Sequence, residues 1–187
     1  MTEKEKPQLK YEAEMNEFLS IMKWNDVELI SNIEAQQVVV ATGVSMDGQD
    51  GRAIIEANSD NDLFDFYIYY TSIKCKPNKW EHMQWLMNAI NERFSFGRFE
   101  CFEVEGDRRI RWRNRIDFEG SNISGASIRN NFKPGWDGTE MFASVIAAVA
   151  LTNQSAKDAI AEYDKERDEA RRASASQETD TEGPTEL

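Results

Sequence analysis

From Phe99 to Phe118 the chain alternates with a period of two on both sides of a turn signal, and few folds accommodate that pattern. In "FECFEVEGDRRIRWRNRIDF" the apolar residues Phe99, Cys101, Ile110, Trp112, Ile116 and Phe118 share one side if the stretch forms two paired strands. Strand side chains point alternately to opposite faces, so the other side collects Arg98, Arg109, Arg111, Arg113 and Arg115, with Phe102 and Val104 among them. Gly106 and Asp107 are the expected turn, which sets Glu100 opposite Arg113 as the one direct acidic partner of the stripe. Cys101 is then a small buried hydrophobe and not a reactive thiol. A hairpin with one dry and one wet face needs a covering layer on the dry side alone.

The rest of the chain supplies that layer. Tyr11, Met15, Phe18 and Met22 recur at helical spacing, which predicts an amphipathic helix from Leu9 to Trp24. "QQVVVATGV", "RAIIEAN" and "LFDFYIYYT" have the β-branched and aromatic content of strands, separated by the turn-rich "SMDGQDG" and "SDND". "DGQDG" lacks the spaced acidic ligands and closing Glu of a calcium loop, so it is expected to be only a turn. A second helix is expected from a cap at Asn78 to Phe94, with Trp80, Met83, Met87, Ile90 and Phe94 on one face, widened by Trp85, Leu86 and Ala89. After the hairpin, "SGASIRNN" has room for a turn or two of helix before "FKPGWDG" breaks it, because proline removes a donor and glycine costs backbone entropy. Asp137 with Glu140 has the form of a capping box, so an apolar helix is expected to start there. Ser155 with Asp158 opens a last helix ending in a solvated run of both charge signs. The acidic tail 173–187 is expected to be disordered, and residues 1–8 are expected to be a frayed, flexible lead-in. The predicted class is α+β: an antiparallel sheet of about five strands with helices packed on one face, in a single domain over residues 9–172.

At 187 residues the chain is long enough for one domain with a real core. No stretch is apolar enough to span a membrane, and "MTEKEKPQLK" lacks the apolar core of an export signal, so a cytoplasmic home is expected. Two cysteines, Cys75 and Cys101, are too few for a disulfide framework or a zinc site and suit that compartment. The sequons at Asn122 and Asn153 then carry no meaning. His82, the only histidine, has no second imidazole to hold a metal with and is assigned no role.

The stretch "FDFYIYYTSIKCKPNKWEHMQWLMNAINERFSFGRFECF", then "RIRWRNRIDFEG" and "AIAEY", resembles the YbjN-domain family, labelled bacterial sensory transduction regulators. The resemblance covers about residues 25 to 163. It rests on the strand-to-helix turn with Pro77, on "INERFSFGRFE" with Asn91 and Gly97 in the family's places, and on "RIRWR" leading to "IDFEG". It implies a fold similar to type III secretion chaperones, protomers that pair as homodimers, and no established catalytic residues. The chain departs from the family at "NNFKPGWDG", where the family runs a longer unbroken helix, and at Phe102, which replaces an acid and adds an exposed aromatic beside the arginines.

The charge pattern frames the function. "RRIRWRNRIDF" has five arginines in eleven positions, whereas the whole chain carries a formal net charge of −12. Such a balance repels nucleic acid and anionic lipid at long range, so only a local basic face could engage an anion. The sequence holds no P-loop, no G-x-S-x-G and no histidine pair, so no enzyme, metal or cofactor is expected. Two occupants compete for the arginine face. One is the chain's own acid, from the "DKERDE" helix or the tail; the other is an acidic segment of a protein partner, with Phe102 as an apolar anchor. The candidate partner-binding residues are Arg98, Phe102, Arg109, Arg111, Arg113 and Arg115. Nucleic-acid binding by the same face is the alternative, disfavoured because the alternation turns Trp112 inward.

Overall fold

The computed structural model of the chain describes residues 9–24 and 27–179. Helix α1 (Glu12–Met22) precedes four strands, β1 (Glu28–Asn32), β2 (Gln37–Met46), β3 (Gln49–Asn58) and β4 (Leu63–Tyr70). A 3-10 turn (Pro77–Lys79) leads into α2 (Trp80–Asn91), followed by β5 (Arg98–Val104), β6 (Asp107–Asp117), α3 (Gly125–Leu151) and α4 (Ala156–Thr179). All strand pairs are antiparallel, and the six form one sheet in the order β1-β2-β3-β4-β6-β5. The α+β class and the one-sided covering layer stand as the sequence predicts, with one strand more. The extra strand is β1, whose "ELISN" is short and mostly exposed and so carries no alternation to detect.

Two hairpins are closed by the tightest connections available. Asp47–Gly48 joins β2 to β3 and Glu105–Gly106 joins β5 to β6, with φ of 48° and 75° in the first and 51° and 82° in the second. Positive φ at both central residues is what a two-residue loop needs to match the twist of its strands. The second loop therefore sits one residue earlier than the expected Gly106–Asp107. Moving a two-residue loop by one shifts every cross-strand partner by two, so Glu100 faces Arg111 and Arg113 faces Arg98. The faces are unchanged, because two is the period of a strand.

The dry face carries Val38, Val40, Ile55, Phe64, Phe66, Ile68, Tyr70, Phe99, Ile110 and Trp112, all buried. Over it lie α1 and α3, joined by an aromatic cluster of Phe18, Trp24, Phe132 and Trp136, with Phe132 also 6.5 Å from Phe66 ring to ring. Phe94, Phe99, Phe142 and Tyr163 make a second aromatic cluster that ties the end of α2 and β5 to α3 and α4.

Helix α3 is the largest correction to the sequence reading. It runs unbroken from Gly125 to Leu151 through Pro134, capped at Ser124, whose Oγ accepts from the Ser127 N–H at 3.2 Å. Asp137 lies mid-helix and pairs with Lys133 one turn back at 2.6 Å, so it caps nothing. The two glycines that look like breakers are contact points. A Cβ on Gly135 would come within 2.3 Å of the Trp112 ring, and one on Gly138 within 2.6 Å of Phe94. Glycine costs about 1 kcal/mol of helix propensity and an interior proline about 3, and burial of the largest core side chains against the bared backbone offsets that. Asn78 likewise is not a cap: it falls within the 3-10 turn, and α2 starts without a side-chain cap.

Helix α4 keeps the expected start, with Ser155 Oγ accepting from the Asp158 N–H at 3.1 Å. It runs in the same sense as α2: Lys79 reaches the Gln154 carbonyl at one end, and Arg93 binds Asp164 through two nitrogens further on. From Asp168 to Ala175 every side chain is exposed, and the helix continues to Thr179, into the stretch expected to be disordered from residue 173. Residues 1–8, expected to be a flexible lead-in, and 180–187, the rest of the tail expected to be disordered, lie outside the described residues. Among the described residues no helix is long and apolar enough to cross a membrane.

Gly135→Ala is expected to destabilise the protein by about 1–3 kcal/mol in urea unfolding, because the added methyl has nowhere to go but into the indole. A gain from the better helix propensity of alanine would show that the close approach does not matter.

Candidate functional site

The sheet face away from the helices is uncovered among the described residues, and cross-strand register arranges it in rows. One row runs Ile30, Val39, Glu56, Asp65, Arg115; the next runs Glu28, Ala41, Ile54, Tyr67, Arg113, Arg98; the third runs Gly43, Arg52, Tyr69, Arg111, Glu100. Phe102 and Arg109 stand opposite each other at the β5–β6 end. All six predicted contact residues, Arg98, Phe102, Arg109, Arg111, Arg113 and Arg115, are therefore on this one face, as the alternation demands. Trp112 is fully buried on the other.

Arg111 is the centre of the face. Its guanidinium carbon lies 4.5 Å from the centroid of the Phe102 ring, 5.0 Å from Tyr67 and 5.7 Å from Tyr69. Its Nε donates to Glu100 at 2.7 Å and its Nη1 to the Tyr69 hydroxyl at 3.3 Å. Tyr69 meets Phe102 edge-on at 5.6 Å. A guanidinium stacks on ring faces while its edge donates hydrogen bonds, so this arrangement uses both properties of arginine at once. Phe102 is consequently half-buried under Arg111 and is not the exposed anchor expected from the sequence.

The acids that neutralise the stripe come from the sheet itself, not from the "DKERDE" helix. Arg115 binds Asp65 through two parallel bonds of 2.7 and 2.8 Å. Arg109 binds Asp107 at 2.9 Å, and Lys74 binds the same carboxylate at 3.0 Å. The hydrogen bond from Arg109, then that from Lys74, hold the Asp107 carboxyl below its ordinary range. Arg108, the fifth arginine of the stripe, faces the opposite way, stacked 5.1 Å over the Trp80 ring and 3.2 Å from Glu103. Sequence reasoning missed Asp65, Tyr67 and Tyr69, whose role is fixed by the pairing of β4 with β6. The only local signal was the alternation within "LFDFYIYY".

Glu56 is the strained member of the face. Burial first, and then the Asp65 carboxylate beside it on β4, push its carboxyl up from an ordinary 4.5, against the pull of Arg111 and Arg115. Chemistry of the nucleophilic kind finds no support at the cysteines. Burial pushes the Cys101 thiol up to about 12 and the Cys75 thiol up as well, so both stay protonated at neutral pH. Among the described residues no group of three or more His, Cys, Asp or Glu is placed to hold a metal ion. His82 is exposed beside Glu81, Trp85, Ser155 and Lys157, in a shallow groove between α2 and the start of α4.

A carboxyl whose folded-state pKa is raised penalises the fold above that pKa, and the penalty disappears as the pH falls below the unfolded value. Glu56→Gln is therefore expected to stabilise the protein at pH 7, with the gain vanishing by about pH 3.5, below the ordinary glutamate range. Urea unfolding at both pH values checks this; an equal gain at both would mean that charge is not the cause.

Compared with family models, with characterised proteins and with solved structures, the chain matches none.

Proposed function

We propose that the protein is a non-enzymatic protein-binding module, chaperone-like or regulatory, that recognises another polypeptide with the open face of its sheet. The observation that carries this reading is the Arg111 cluster, an arginine set among three aromatic rings on a face that no described helix covers. Arginine and tyrosine dominate the energetics of protein interfaces, since both offer apolar area and directed hydrogen bonds. Here they are ordered before any partner arrives, which reduces the entropy lost on binding. A cytoplasmic home and a homodimeric state belong to the same reading.

The nucleic-acid alternative asks for guanidiniums free to meet successive phosphates and for rings on which bases can stack. On this face Arg109, Arg111 and Arg115 each have a carboxylate partner, and Glu56, Asp65 and Glu100 lie among them. Those three acids would repel a phosphate backbone laid across the sheet, which favours the polypeptide reading.

The test is site-specific photo-crosslinking in the source cell. Tyr69→benzoylphenylalanine is expected to form a defined protein adduct that the same photoreactive residue at Lys165, on exposed α4, does not form. The adduct should be lost in a Phe102→Glu background. The same adducts from both positions, or none from Tyr69, would overturn the assignment of this face.

A further inference from the structure

Among the arginines of β5 and β6 on the open face, the charge is left unbalanced at one corner. Around Glu100 two guanidiniums share a single carboxylate, Arg111 at 2.5 Å and Arg113 at 3.7 Å, while no ion pair among the described residues reaches a third, Arg98. Arg98 is exposed and stands directly opposite Arg113 in the β5–β6 register. Like charges placed directly opposite on neighbouring strands destabilise a sheet, and here the one acid that could relieve them is already committed to Arg111. Arg115 and Arg109 on the same strand have partners of their own, Asp65 and Asp107, so within the β5–β6 hairpin the surplus is confined to this corner.

That corner is also concave. Gly97, Arg98, Glu100, Arg113, Asn114 and Arg115 line a surface cleft. Gly97 has φ +64°, and a Cβ there would fall 2.5 Å from the Arg113 carbonyl, so the chain must enter β5 pressed against β6 at this point. The preceding residue, Phe96, is pinned by its carbonyl to the Trp112 indole N–H at 2.8 Å, yet leaves 58% of its own surface exposed. A fixed backbone thus sets an exposed phenyl ring two residues before an unmatched guanidinium.

We propose that this cleft seats an acidic segment of another polypeptide, with carboxylates of the partner bridging Arg98 and Arg113 and an apolar side chain of the partner resting on Phe96. The inference rests on the reading of the open face as a protein-binding surface and locates its anionic contact. Charge complementarity selects the occupant. Arg98, which has no ion pair, and Arg113, which reaches only a carboxylate that Arg111 already holds, suit one or two carboxylates in a fork geometry. A polynucleotide would carry further phosphates onto Glu100 and Asp65. Because the chain's net charge of −12 repels acidic partners at a distance, recognition here acts at contact range.

The experiment uses the full chain and a fluorescein-labelled peptide, Gly-Ser-Asp-Glu-Phe-Asp-Glu-Ser-Gly, with binding followed by anisotropy in about 150 mM salt, near physiological ionic strength. Saturable binding is expected, weakened about tenfold or more by Arg98→Ala and again by Arg113→Ala, as loss of a charge-assisted contact requires. Lys165→Ala, on exposed α4 and remote from the cleft, should change it less than about threefold. The Asn/Gln version of the peptide should not bind. Arg98→Ala should keep or raise the melting temperature, since it removes a like-charge pair, and a merely structural arginine would lower it. Binding unchanged in the Arg98→Ala/Arg113→Ala double variant would overturn the cleft. The wider reading would still stand if Tyr69 retained its crosslinked partner, and would fall with it if that adduct were also missing. Tighter peptide binding after Asp180→Asn, Glu182→Gln and Glu186→Gln together would overturn the external occupant in favour of the chain's own segment. Displacement of the peptide by an equimolar single-stranded oligonucleotide would overturn it in favour of nucleic acid.

Discussion

The seating of Trp112 against α3 is the contact on which the other features depend. Its indole lies on the backbone at Gly135, its N–H is bonded to the Phe96 carbonyl, and Gly97 lets the chain pass beneath it into β5. With that ring inside, the parity of β6 is settled, and Arg109, Arg111, Arg113 and Arg115 have only the open face to occupy. The same contact holds α3 over the middle of the sheet. There Tyr70 on β4 donates its buried hydroxyl to the Thr139 carbonyl at 2.6 Å, a second fastening between helix and sheet.

The open face is built from interactions that stabilise little and orient much. Exposed ion pairs are each worth about 0–1 kcal/mol, so the pairs of Arg109 and Arg115 do not hold the fold together. Their effect is to pin long, flexible side chains in one arrangement. Arg111 goes further, because stacking and hydrogen bonding restrain it in every direction except outward. The contrast between Arg111, held by rings and hydrogen bonds, and unpaired Arg98 on the neighbouring strand follows from register alone.

How much of this was legible in the sequence depended on the range of the forces involved. The alternation of 99–118 exposed the two faces because burial acts residue by residue along a strand. The pairing of Glu100 was read two residues out, because it depends on whether Glu105 or Asp107 joins Gly106 in the loop, a choice made by backbone dihedrals. The break expected at "FKPGWDG" failed for a different reason. Propensity is local, whereas Gly135 and Gly138 answer to Trp112 and Phe94, which no window around the helix contains. Tyr67, Tyr69 and Asp65 were missed as members of the site for the same cause: β4 and β6 are neighbours in space but not in order.

The sheet's two borders are not equivalent. At Phe99 the border strand β5 is occupied by Asn91 of α2, whose side-chain amide accepts from the Phe99 N–H at 2.7 Å and donates to its carbonyl at 2.9 Å, standing in for a strand. The β1 border has no such substitute among the described side chains. The peptide group of Phe99 is thereby withheld from any added strand, so an incoming strand would find the β5 border interrupted at that residue.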